Sequence, residues 1–90
     1  MTKFIILRFD LHFDWDTKPP IYRVYINDEM FTERTYRAKK TECYKELLQL
    51  KAPIGVYRLD VKSNDTYTLS NSYIETGDGK MINSREFEII

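Results

Sequence analysis

The sequence predicts an all-β protein, a small antiparallel β-sandwich of immunoglobulin-like or jelly-roll type with about seven strands. Three observations point there. Apolar and polar residues alternate with period two through most of the chain, the pattern of strands that bury one face. Short clusters of Pro, Gly, Asn and Asp interrupt the alternation at hairpin spacing. Seven tyrosines, five phenylalanines and one tryptophan among ninety residues suit a pleated, half-buried surface better than a helix.

The longest run, Lys3 to Asp16, sets the pattern. Ile5, Leu7, Phe9, Leu11, Phe13 and Trp15 share one parity, and Arg8, Asp10, His12, Asp14 and Asp16 the other. One strand with an apolar and a wet side results, and a core must form on the apolar side. Extended, the fourteen residues from 3 to 16 would span up to about 46 Å, so this strand is expected to bend or bulge. Thr17-Lys18-Pro19-Pro20 then removes two backbone donors in succession and ends the ladder.

The second strand begins near Ile21, with Tyr22, Val24 and Ile26 on one face and Arg23 and Tyr25 on the other. Asn27-Asp28-Glu29 reads as a three-residue turn into a third strand from Met30 to Arg37. That register sets Ile26 against Met30, Tyr25 against Phe31, Val24 against Thr32 and Arg23 against Glu33. It pairs opposite charges and stacks two rings, contacts of roughly 0.2–1 kcal/mol each. A Tyr25–Phe31 ring contact is therefore expected.

Residues 38–43 carry no period and read as a loop. Tyr44 to Lys51 fits helical spacing at Tyr44, Leu47, Leu48 and Lys51 and strand spacing at Tyr44, Glu46, Leu48 and Leu50. The turn signal Ala52-Pro53-Ile54-Gly55 decides for a strand, because folding back there sets Leu50 opposite Tyr57 and Leu48 opposite Leu59. Tyr57, Leu59 and Val61 continue the apolar face, and a turn at Ser63-Asn64-Asp65 sets Val61 against Tyr67 and Leu59 against Leu69. A three-stranded meander is the expectation. Thr76-Gly77-Asp78-Gly79 reads as a further hairpin turn, and Ile82, Phe87 and Ile89 anchor a last strand.

Residues 1–90 make one domain. Lysine plus arginine equals aspartate plus glutamate at fourteen each, which gives no long-range field for a polyanion and excludes general nucleic-acid binding. Cys43 is the one cysteine, so no intrachain disulfide forms and a cytoplasmic setting is expected. Phe4 to Leu7 is too short an apolar run for a secretion signal or a membrane span. Asn64-Asp65-Thr66 matches a glycosylation pattern and is read as a turn.

The wet face of the first strand carries Asp10, His12, Asp14 and Asp16. Alternate strand residues lie roughly 6.6 Å apart, so a calcium ion could be shared by Asp14 and Asp16 but not by the row. His12, flanked by Asp10 and Asp14, could be oriented as a general base, but no nucleophile motif, phosphate-binding glycine loop or paired-cysteine signature accompanies it. No catalytic or metal residue is assigned, no cofactor is expected, and the chain is read as not an enzyme. Trp15 falls on the core parity. Tyr25 and Phe31, with Arg23 and Glu33 on the same expected face, are the candidate binding residues, for a partner subunit or for sugar rings. Open sheet edges offer a second route to assembly.

Ile21 to Tyr36 (IYRVYINDEMFTERTY) and Lys51 to Val61 (KAPIGVYRLDV) resemble small uncharacterised proteins of marine tailed phages that infect cyanobacteria. The shared stretches are a hairpin and a turn, so the resemblance implies a β-domain of viral origin, in host cytoplasm or virion, and no functional residue. The expected function is a non-catalytic protein-interaction or structural accessory module that binds protein, itself as a homo-oligomer included. The alternative is a carbohydrate-binding module using Tyr25 and Phe31, assisted by calcium.

Overall fold

The first alternating stretch forms β1 (Thr2–Phe13), the central strand of one of two antiparallel sheets in a computed structural model that describes residues 2–15, 17–39 and 42–90. The other strands are β2 (Ile21–Ile26), β3 (Glu29–Thr35), β4 (Tyr44–Pro53), β5 (Gly55–Ser63), β6 (Tyr67–Thr76), β7 (Gly79–Met81) and β8 (Glu86–Ile89). Three strands in the order β4-β1-β6 pack against five in the order β3-β2-β5-β8-β7, an antiparallel β-sandwich as the alternation predicts. Among the described residues eight strands form, because the expected last strand is broken. Asn83 Oδ1 accepts the N–H groups of Arg85 and Glu86, and the turn folds β7 back on β8 with Met81 opposite Phe87.

The core follows from the parity of β1. Ile5, Leu7, Phe9, Leu11 and Phe13 are all buried, and they meet Tyr22, Val24, Leu59, Val61, Phe87 and Ile89 of the facing sheet. Each such side chain contributes about 1.5–3 kcal/mol by leaving water. An exposed ion pair such as Arg58–Asp60 contributes about 0–1 kcal/mol, so the apolar row decides the fold. At one end the Phe13 ring lies 4.9 Å from that of Tyr36 and 5.6 Å from those of Tyr22 and Tyr67, joining both sheets through aromatic contact.

The molecule measures 45 × 22 × 18 Å, so β1 runs along its length. The expected bulging falls on the neighbour instead. β6 slips register against β1 between Ile6 and Leu7 and again between Arg8 and Asp10, and Asn71 takes a positive φ of 51° there.

The expected meander is replaced by crossings between sheets. β4 pairs with β1, setting Leu50 against Ile5 and Leu48 against Leu7, while β5 pairs with β2 and β8. β6 also pairs with β1, with Leu69 opposite Leu11 and Tyr67 opposite Phe13. Leu48 and Leu59 thus face each other's sheets rather than sharing a ladder. Matched apolar positions are satisfied equally across a sandwich and within a sheet, and Ile54, the single residue between β4 and β5, turns the corner.

The crossing from β6 to β7 requires glycine. Gly77 has φ of 100°, and a Cβ there would press on the Phe4 carbonyl oxygen and lie 2.8 Å from Ile5 Cγ2. Positive φ and overpacking against backbone together cost roughly 2–4 kcal/mol. Gly77→Ala is expected to lower the melting temperature by about 10 °C or more, as followed by circular dichroism; an unchanged melt would contradict the close packing of this turn on β1.

Candidate functional site

The candidate site lies where the β2–β3 hairpin ends. Asn27 and Asp28 both take positive φ, 51° and 67°, the conformation of a two-residue type I′ turn whose twist matches the flanking strands. Ile26 therefore faces Glu29 and Tyr25 faces Met30. The ladder regains the expected Val24–Thr32 and Arg23–Glu33 pairs by a bulge that leaves Phe31 as the extra residue. A three-residue loop without a bulge, as the sequence suggested, is corrected by this geometry.

The bulge divides the four candidate binding residues. Arg23 Nε lies 2.6 Å from Glu33 Oε2 in an exposed ion pair. The Tyr25 ring is covered by Lys62 Nζ at 4.5 Å from its centroid rather than by Phe31. Phe31 instead lines a cleft between the sheets. The expected Tyr25–Phe31 platform is not formed, because one inserted residue breaks the parity that would have put both rings together.

That cleft is a consequence of stagger. β2 pairs with β5 only from Leu59 to Ser63, and β8 takes Gly55 to Arg58. Asn27 fixes the hairpin tip to β5: its N–H donates to the Arg58 carbonyl at 2.9 Å and its Oδ1 accepts the Arg58 N–H at 2.8 Å. β4 continues past this tip to Pro53, which leaves a notch of about 280 Å³ lined by Ile26, Met30, Phe31, Leu50, Ala52 and Tyr57. Met30 is 59% exposed and Phe31 38%, and none of the seven residues of β3 is buried. The Tyr57 hydroxyl donates to the Pro53 carbonyl at 2.6 Å, tying β5 to the end of β4.

Further along β4, toward Tyr44, the two sheets are clamped by a buried carboxylate. Glu46 lies opposite Phe9 on the core parity of β4 and is fully buried. Burial of a carboxylate is tolerated only with partners. The Tyr22 hydroxyl donates to Oε2, Arg34 Nη1 lies 3.2 Å from Oε1, and the Leu47 N–H donates to Oε1 at 3.3 Å. Strands β2, β3 and β4 are joined by one side chain. The sequence signal was present, a charge on the parity of Tyr44, Leu48 and Leu50, but an isolated strand does not name the partner of such a charge.

A second cleft of about 460 Å³ lies at the aromatic end, lined by Asp14, Trp15 and Lys18 and by Asn64 and Asp65 of the β5–β6 turn, with Pro19 and Pro20 beneath. Trp15 is half-buried and packs on the core edge. Asp16 lies outside the described residues, and with it the expected calcium pair with Asp14. Among the described residues no group of three or more His, Cys, Asp or Glu side chains could hold a metal ion. Asp10 accepts a hydrogen bond from Asn71 Nδ2 at 2.9 Å, His12 is half-buried opposite Thr68, and Cys43, directly before β4, is exposed. No helix among the described residues is long and apolar enough to cross a membrane.

Comparison with known protein families, curated proteins and solved structures finds no match. The class is therefore the one that the fold and its surface define, a small antiparallel β-sandwich with a partly apolar notch between its sheets.

Burial, and then the hydrogen bond to Glu46, hold the Tyr22 phenol well above its ordinary range. An unfolded chain releases that proton near pH 10 while the folded chain keeps it, so stability falls as pH rises above about 10. Tyr22→Phe leaves the buried carboxylate one donor short and is expected to cost roughly 1.5–3 kcal/mol at neutral pH. It should also flatten the loss of stability between about pH 9 and about pH 11. Denaturant titrations of both proteins across that range check both effects; parallel alkaline limbs would contradict the clamp.

Proposed function

We propose that this chain is a non-catalytic protein-interaction module whose contact surface is the notch at the β2–β3 hairpin tip. The carrying observation is the exposure of Met30 and Phe31 over a cleft floored by Ile26, Leu50, Ala52 and Tyr57. Large apolar side chains gathered at a concave, solvent-facing site gain free energy when a partner removes them from water, about 25 cal/mol per Å². A Met in such a site adapts its shape to what it meets. The reading agrees with a phage accessory role, in which a small domain works by joining a larger assembly.

A photo-crosslinking residue at position 31 tests this in the cells where the chain is made. A discrete protein adduct is expected from position 31, and none from position 73 on the exposed face of β6. Equal, weak labelling from both positions would contradict the assignment. A second copy as the captured partner would show as an adduct of twice the chain mass.

A second reading rests on the other cleft. Trp15 and the two prolines offer apolar surface beside Asp14, Lys18, Asn64 and Asp65, the mixture that sugar rings require. Glycan-array binding that Trp15→Ala abolishes and Tyr25→Ala leaves intact would favour a carbohydrate module; a blank array would leave the protein-binding reading in place.

A further inference from the structure

We infer that the notch takes an extended segment of a partner protein, which adds as a strand to the edge of β4 and carries alternating apolar and acidic side chains. This deepens the protein-binding reading and rests on it. Four strands end the two sheets, β4 and β6 in one and β3 and β7 in the other. Three are blunted. β6 is bulged twice, β3 is bulged at Phe31, and β7 has three residues. β4 runs for ten residues in unbroken register with β1, from Leu11–Tyr44 to Thr2–Pro53.

The direction of its free backbone groups follows from two residues. The Leu47 N–H is bonded to Glu46 Oε1, off the ladder with β1. In an antiparallel strand the bonding direction alternates, so Gln49 and Lys51 also point their N–H and C=O groups away from β1. Pro53 shares that parity, the one on which a residue without N–H leaves the ladder intact. Toward the Tyr44 end, the Glu46–Arg34 clamp and the Leu47 N–H, bonded to Glu46 Oε1, occupy the edge. The open track is the stretch from Gln49 to Lys51, alongside the notch; beyond it the Pro53 carbonyl accepts the Tyr57 hydroxyl.

Side-chain chemistry specifies the occupant. A strand laid against this track points alternate side chains inward beside Leu50 and Ala52, toward Met30 and Phe31, so those positions must be apolar. Its other side chains stand on the outer face beside Lys51, with Lys45 further along. Both lysines are exposed, and neither forms an ion pair among the described residues. Acidic residues match that face. Glu29 at the notch rim adds a repulsive element against an acid in the inward position. Main-chain bonds then give affinity and the notch gives specificity, as in other strand additions.

The probe is a synthetic peptide of alternating valine and glutamate, compared with its valine–lysine counterpart and with two N-methylated versions, each blocking the amides of one parity. Binding is read by amide and methyl shifts in the full chain. The expected result is binding of the glutamate peptide, with shifts at Gln49, Lys51 and Met30, weakened about tenfold or more by N-methylation on one parity only and by Lys51→Glu. Gln49→Pro should melt within a few degrees of the parent and lose the peptide. Equal effects of both N-methylated peptides, or equal binding of the lysine peptide, would overturn strand addition. An adduct at position 31 combined with no binding of the glutamate peptide would overturn this inference while leaving protein binding at the notch intact; no adduct there would remove both.

Discussion

The five-stranded sheet, and the step it leaves against its partner, depend on how strands are shared along β5. One strand of nine residues carries β2 on its second half and β8 on its first, so neither neighbour pairs along its whole length. The arrangement lets a short chain cover a core strand as long as β1. It also leaves a step at the tip of the β2–β3 hairpin, where β4 runs on past the hairpin to its tie with Tyr57 of β5. Fold and candidate function meet at that step, because the apolar row that drives folding ends there with Met30 and Phe31 still in water.

The polar clamp at Glu46 explains why the step stays where it is. A buried carboxylate held by Tyr22 and Arg34 fixes β4 against β2 and β3 at one position, and sliding the sheets would strand a charge in an apolar setting. Apolar contacts alone tolerate such sliding better, since they are non-directional. The hairpin tip is fixed independently by the paired hydrogen bonds between Asn27 and Arg58. Two directional contacts therefore define the notch that non-directional packing leaves open.

Strand identity was legible in the sequence because period two is a local property. Ile5 to Phe13 read as buried, and all five of those alternate residues are. Partner choice was not legible, because Leu48 and Leu59 can match across a sandwich as well as within a ladder. Phe31 shows the limit most sharply. Its neighbours Thr32 and Glu33 fall in the expected register, yet the type I′ turn at Asn27-Asp28 inserts a bulge and moves the ring to a different surface from Tyr25. Asn-Asp is compatible with two loop lengths, and the choice depends on strand twist, which composition does not record. Glu46 was visible as a charge on the wrong parity, while Tyr22 and Arg34 became its partners only through the packing of three strands.

Native-state hydrogen exchange of the β4 amides distinguishes an open edge from a covered one, because it reports which backbone groups are bonded to β1 and which face outward. Slow exchange is expected at Leu48 and Leu50 and fast exchange at Gln49 and Lys51. Protection of Gln49 and Lys51 as strong as that of Leu48 and Leu50 would mean that the β4 edge is already covered, and would contradict the open track beside the notch.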